Sequence, residues 1–369
     1  MTIRRQLLNF GGRSTDVRLG AGAREELSPL LASAVAKPCR AVVVTRDDLA
    51  ETHALTVARA LIDAGFAVED LSVPAGERAA TFAYATQLIA ALERGGLTAD
   101  DLMVAVGDAE LCGLASFCAR TWCGGMACAL VPTTLDAMVS ATTDMVALDG
   151  PERPGMLSLR PEIALCVCDL SLVMGAPLAA NGLGYVQMAA AHLAESKKYW
   201  DDFPRVAESL MGGGEIAFID ALFCTNVSRT NTVKSASPSA RQATLYGAVT
   251  AEALASCLER PLPAYQLLAE GMRFEARLAH EVCGFSIENV FAQDDCFDAL
   301  GIEEAAFDVS AERLVAALRQ VRARRANRFQ FALPKYPGTI RLSSVDDEVL
   351  MRHATAYVAS RAELLDADL

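Results

Sequence analysis

Two apolar runs end in residues that could face a ligand. Leu102 to Val106 stops at Gly107, and Met126 to Val131 stops at Pro132-Thr133-Thr134-Leu135. A helical stretch, Leu111 to Arg120, lies between them. Short apolar runs alternating with helical stretches predict a βαβ unit of a parallel sheet. Ligands of such sheets sit beyond the carboxyl ends of the strands, so Gly107, Thr133 and Thr134 are candidate ligand-facing residues. Asp108 and Glu110 follow Gly107 and bring negative charge to the same end. An anionic ligand close to one such carboxylate is disfavoured by about 1–4 kcal/mol at surface-like dielectric.

Other reactive side chains carry a weaker signal. Cys112, Cys118, Cys123 and Cys128 contain no Cys-x-x-Cys pair and match no usual zinc or iron–sulfur spacing. They read as small buried hydrophobes, as do Cys166 and Cys168, two apart in a predicted strand. The eleven cysteines fit a reducing compartment better than a disulfide framework. The four histidines, His53, His192, His280 and His353, are scattered, and His192 and His280 are predicted on helix surfaces. Met211-Gly212-Gly213-Gly214 follows no strand and reads as a turn between helices rather than a phosphate loop.

The elements that must position these residues follow from the pattern. Strands are predicted at Asp16–Leu19, Cys39–Thr45 and Phe66–Val73, with helices continuing to Gly65 and over Thr81–Glu93. This alternation predicts an α/β, Rossmann-like nucleotide-binding type of domain over residues 1–178. Residues 179–369 change texture and predict a mainly helical domain. Its helices are expected at Ala179–Leu193, Phe203–Leu210, Ala217–Lys234, Ala240–Leu258, Tyr265–Val282, Ala292–Leu300 and Ala311–Arg324. A hairpin about Pro334 to Gly338 and a last helix from about Asp346 complete the chain.

Composition narrows the function. Over 369 residues, 52% hydrophobic content supplies two cores. A net charge of −13 argues against a general nucleic-acid binder. No apolar run reaches membrane-spanning length, and the start of the chain lacks a secretory apolar core, so a cytoplasmic protein is expected. Only five lysines stand against 28 arginines.

On these residues the chain resembles 3-dehydroquinate synthase and, more broadly, the sugar-phosphate cyclases. Gly107, Leu114, Phe117, Gly125 and Val131 to Leu135 match the family's strand, turn, helix and Val-Pro-Thr-Thr-Leu segment, most specifically over residues 97–140. The resemblance implies a dehydroquinate synthase-like fold. It also implies a lyase of the shikimate pathway that uses NAD and a metal ion, usually zinc or cobalt, on a sugar phosphate.

Residue by residue, much of that equipment is replaced. At the implied metal ligands, Tyr185 stands for Glu, and Ala248 and Ala264 stand for the two His. Met188 takes the place of a site Lys, Leu245 of an Asn and Glu252 of a further His. In the implied phosphate pocket, Gly124, Ser140 and Val146 replace Arg, Asp and Lys, and Arg153 to Met156 replace a Gly-Lys-Asn segment. In the glycine turn, Asp108 and Ala109 replace two glycines that let backbone approach a pyrophosphate.

What persists on the cofactor side is Asp47, Glu77, Gly107, Thr133 and Thr134. On the substrate side Lys234 and Arg241 persist, with Arg324 or Arg325 near a late family Lys. These two basic residues read equally as solvated helix charges. The expectation is a homologue that is catalytically degenerate, without metal, with NAD left open. It would bind a small anionic metabolite or a protein partner and, by analogy, form a homodimer. The alternatives are altered, metal-free chemistry on a sugar-phosphate-like metabolite, or residual 3-dehydroquinate synthase activity.

Overall fold

The computed structural model describes residues 3–152, 154–323 and 330–367. The chain forms two compact units, Met1–Ala176 with Gly214–Asn226, and Pro177–Gly213 with Val227–Leu369.

The first unit is built on a seven-stranded sheet. Its elements are β1 (Arg4–Asn9), β2 (Ser14–Gly20), α1 (Leu27–Ala32), β3 (Arg40–Arg46), α2 (Leu55–Asp63), β4 (Ala67–Val73), α3 (Phe82–Arg94), β5 (Leu102–Gly107), α4 (Ala109–Thr121), β6 (Ala127–Pro132), α5 (Leu135–Ser140), a small hairpin β7 (Val146–Leu148) and β8 (Leu157–Leu159), and β9 (Leu165–Asp169). The strand order is β1-β2-β9-β6-β5-β3-β4. From β2 to β4 every neighbouring pair is parallel, and β1 joins antiparallel at the edge.

Parallel strands covered on both faces must be apolar throughout, and β5 is buried at all six positions. On one face Ala41, Val43, Val104, Val106, Val131 and Val167 pack with Leu27 and Leu31 of α1 and Val57 and Leu61 of α2. Each such valine or leucine contributes roughly 1.5–3 kcal/mol when fully buried. On the other face α4 lies against β5 and β6. Cys112, Cys118, Cys128, Cys166 and Cys168 are buried in this core. Burial pushes the Cys118 and Cys128 thiols up to about 12, so they stay protonated at neutral pH. Strand β1 has no counterpart in the sequence prediction. Its burial alternates over a few residues only, and side-chain bonds help to anchor it: Gln6 Nε2 donates to Phe223 O at 3.0 Å.

The second unit is mainly helical: α6 (Leu178–Glu195), α7 (Lys197–Met211), the later part of α8 (Glu215–Lys234), α9 (Ala248–Cys257), α10 (Ala264–Cys283), α11 (Ile287–Ala299), α12 (Ala311–Ala323), the hairpin β10 (Phe331–Tyr336) and β11 (Thr339–Ser343), and α13 (Asp347–Ala367). The fold is thus a parallel-rich α/β N-terminal part with a mostly helical C-terminal part. Met211 ends α7 and Glu215 starts α8, so the glycine run is the turn the sequence predicts.

Two sequence expectations need correction. His192 is not on a helix surface. It is 2% exposed, its ring lies 4.8 Å from that of Phe203, and Nδ1 donates to Met188 O at 2.8 Å. Burial depresses its pKa because the charged imidazolium is the form that loses solvation. Second, Ala240–Leu258 is not one helix. A 3-10 segment, Ala240–Leu245, ends at Tyr246-Gly247, and α9 starts anew. Gly247 has φ +78°, a left-handed conformation that breaks a continuous helix.

Candidate functional site

In an open parallel sheet the binding crevice lies where the chain reverses its direction of travel across the sheet. Here β3 leads outward to β4, and β5 returns to the other side of β3, so the crevice falls at the carboxyl ends of β3 and β5. A cleft of about 510 Å³ lies there. Arg46 at the end of β3, Gly76 to Arg78 after β4, Asp108 and Glu110 at the start of α4, and Thr133 and Thr134 after β6 line it, together with Asp48 and Leu49.

The backbone sets this end of the sheet. Thr133 N donates to Gly107 O at 2.9 Å, one step beyond the Gly107–Pro132 pair. A Cβ at Gly107 would fall 2.5 Å from Cδ2 of Leu111, so this glycine admits the first turn of α4. Asp108 caps that helix, its Oδ1 accepting from Leu111 N at 2.9 Å. Such a cap is worth about 1 kcal/mol.

Most of the charge in the cleft is tied up internally. Arg46, 8% exposed, donates from Nε to Asp108 Oδ2 at 2.8 Å, and its Nη2 lies 2.8 Å from the same oxygen. Its Nη1 reaches the carbonyl of Glu77 and lies 3.4 Å from that of Pro74. Arg78 Nη1 donates to Glu110 Oε1 at 2.9 Å, and its Nε donates to Asp149. Glu110 Oε2 accepts from Ala79 N at 3.1 Å. Glu77 accepts from the hydroxyl of Tyr84, which raises the Tyr84 pKa. Beside Thr134, burial raises the carboxyl pKa of Asp136, with the Thr134 hydroxyl opposing that rise.

The sequence-derived candidates divide as follows. Glu77, Thr133 and Thr134 line one cleft, and the Gly107 carbonyl accepts from Thr133 N beside it. Asp47 is exposed in a 3-10 turn, and its neighbour Asp48 is the residue that lines the cleft. Sequence reasoning missed Arg46 and Arg78. The available signal was an arginine closing a buried strand, since a charge there must be paired.

In the second unit, Lys234 is exposed at the end of α8, while Arg241 Nη1 donates to Ser235 O at 2.8 Å and Ala236 O at 3.3 Å. Arg241 thus holds the Ser235–Ser239 loop. Arg153, Arg324 and Arg325 lie outside the described residues.

The positions implied as metal ligands also fall in the second unit. Tyr185 on α6 is 5% exposed, and its hydroxyl accepts from Asn181 Nδ2 at 3.3 Å. Burial raises its pKa, so it carries no anionic oxygen at neutral pH. Ala248 opens α9 and Ala264 opens α10. A Cβ at Gly182 would fall 2.6 Å from Cγ of Tyr265, so α6 and the first turn of α10 touch and an aromatic ring fills the contact. Catalytic zinc takes about three N, O or S ligands from a protein. One neutral phenol and two methyl groups do not fit that ion. Among the described residues no group of three or more His, Cys, Asp or Glu is placed to hold a metal ion.

Comparison with known proteins agrees with this architecture. A profile of the 3-dehydroquinate synthase N-terminal family matches residues 70–156. The 3-dehydroquinate synthase of Thermobifida fusca is 36% identical over 183 residues, 48% of this chain and 47% of that protein. That of Caulobacter vibrioides is 28% identical over 187 residues, 50% of each. The matched stretch thus spans about half the length of these curated relatives. A 2-deoxy-scyllo-inosose synthase, solved with carbaglucose-6-phosphate, NAD+ and Co2+, superposes with a TM-score of 0.84 at 13% identity, covering 96% of this chain and 100% of that one. A 2-epi-5-epi-valiolone synthase from Streptomyces hygroscopicus subsp. jinggangensis 5008, solved with NAD+ and Zn2+, superposes at 0.78 with 16% identity, covering 95% and 97%. The fold is therefore the one these sugar-phosphate cyclases share. In sequence, the chain is 3-dehydroquinate synthase-like over the matched stretch.

Proposed function

We propose that this chain is a catalytically degenerate relative of 3-dehydroquinate synthase that works as a cytoplasmic binding or regulatory protein. Its partner would be a small anionic metabolite or another protein, not nucleic acid or a membrane, and it would act as a homodimer. One observation carries the reading: Tyr185, Ala248 and Ala264 occupy the three implied metal-ligand positions, and together they offer one neutral oxygen. The glycine turn points the same way, since Asp108 and Glu110 hold the arginines that a cofactor phosphate would need. Among the described residues no helix is long and apolar enough to cross a membrane.

An enzyme of altered chemistry on an anionic metabolite would rely on Lys234 and Arg241. Arg241 already serves the backbone carbonyls of its own loop, which weighs towards the first reading.

The test is thermal denaturation of the purified chain titrated with zinc and with NAD, beside complementation of a strain lacking 3-dehydroquinate synthase. A ligand at 100 times its Kd stabilises by about 2.7 kcal/mol. The expected result is no such rise with either ligand and no rescue of growth. Joint stabilisation by both, or rescue, would show that the chemistry survives.

A further inference from the structure

We infer that Asp108 is a tethered anion that closes the cleft to phosphate-bearing ligands, making it the specificity-determining residue of this site. The inference rests on the proposed function in one respect, that the cleft is not serving a cofactor's redox step.

General chemistry marks this cleft as a place for phosphate. It lies at the crossover of a parallel sheet, at the N-terminus of the thirteen-residue helix α4, beside a nearly buried arginine. The principal donors at this end, Leu111 N, Arg46, Ala79 N and Arg78, already have partners from the chain. Asp108 spans two of them, accepting from Leu111 N with one oxygen and from Arg46 with the other. Glu110 repeats the arrangement one step along, between Ala79 N and Arg78. The bridging carboxylate of Asp108 thus occupies the position between helix terminus and guanidinium that an external phosphate would take.

A tethered group competes at its effective concentration, on the order of millimolar or above. A free phosphate must displace it before gaining any contact. The wall adds to the barrier, with two arginines set against Asp48, Glu77, Asp108 and Glu110. Ligands admitted here are therefore expected to lack phosphate, and Thr133 on the wall suits a hydroxyl-bearing one.

The test removes the anion and keeps the helix. Asp108→Ser retains a capping oxygen, and Glu110→Gln retains size and one acceptor. Inorganic pyrophosphate, ADP and NAD would be titrated calorimetrically into the full chain, the D108S/E110Q pair and the pair combined with Arg46→Gln. The pair should bind pyrophosphate at least tenfold more tightly than the unaltered chain, and Arg46→Gln should abolish the gain. A D108N single variant, neutral and still able to cap, provides a second reading if the pair does not fold, and should gain in the same direction.

Equal affinity in the unaltered chain and the folded variants would overturn the inference, as would a gain that survives Arg46→Gln. Turnover is measured separately: activity of the unaltered chain would sink the proposed function, whereas anion affinity in the pair reports on the two cleft carboxylates and that of D108N on Asp108 alone.

Discussion

His192 shows how burial sets the behaviour of a single side chain. Its ring is enclosed by Phe203 and Tyr199, its Nδ1 donates to Met188 O, and Asp202 is the charged group that opposes the depression of its pKa. His353 is depressed by burial in the same way, with Phe274 O, Glu281, Arg277 and Arg352 around it. A free imidazole titrates near 6.5. Between that value and the lower folded value, the unfolded chain takes up a proton that the folded chain refuses. Stability is therefore full above 6.5 and is lost as pH falls towards the folded value. The urea midpoint should drop between about pH 7.5 and about pH 5.5, and His192→Asn, which keeps a donor near Met188 O, should lessen the drop. A midpoint flat across that interval would contradict the assignment. At this scale the sequence was partly legible. Thr133, Thr134 and Glu77 could be placed because a strand end fixes where they face. Arg46 and Arg78 could not, because their role depends on partners up to 71 residues away, such as Asp149 for Arg78.

At the scale of elements, long apolar strands were readable and the break before α9 was not. The run Leu102–Val106 announces β5 because a strand buried on both faces leaves no room for polar residues. Gly247 is the local mark between Ala240–Leu245 and α9, and a lone glycine between helix-favouring residues does not by itself end a helix. The break is imposed by α10. A Cβ at Gly271 would lie 2.1 Å from Gly247 O, and one at Gly247 would lie 2.5 Å from Cγ of Met272. The two backbones meet at these glycines, and the buried carboxylate of Glu275 accepts from Gly247 N at 2.9 Å and Thr250 Oγ1 at 2.7 Å. Gly271→Ala must push the helices apart against that carboxylate anchor. Overpacking of this kind costs about 1–3 kcal/mol, and the clash here is with backbone, so the upper part of that range is expected in a urea titration. A loss below about 0.5 kcal/mol, the usual reach of surface substitutions, would mean the helices yield easily.

At the scale of the whole molecule, the chain order does not match the order of the compact units. Residues 214–226, the first part of α8, belong with residues 1–176 although 37 residues of the other unit intervene. The reason is visible in the bonds that hold them: Ala21 N donates to Glu215 at 2.9 Å, Arg4 pairs with Asp220 at 2.8 Å, and Gln6 is bonded both to Phe223 O and to Asn226. These contacts secure β1 and the end of β2, the antiparallel margin of an otherwise parallel sheet. A chain ending at Ala176 would keep the strands that line the cleft but leave β1 as an unsupported edge, the kind of surface that invites association between copies. Residues 1–176 alone are expected to aggregate or to melt at a lower temperature than the same segment carrying residues 214–226 on a flexible Gly/Ser linker, because lengthening a loop costs only about 0.6 kcal/mol per doubling. Light scattering and thermal denaturation of the two proteins decide it. Equal solubility and equal melting would show that the β1–β2 margin holds without α8, and that the bonds from Gln6 and Arg4 are incidental to the stability of the first unit.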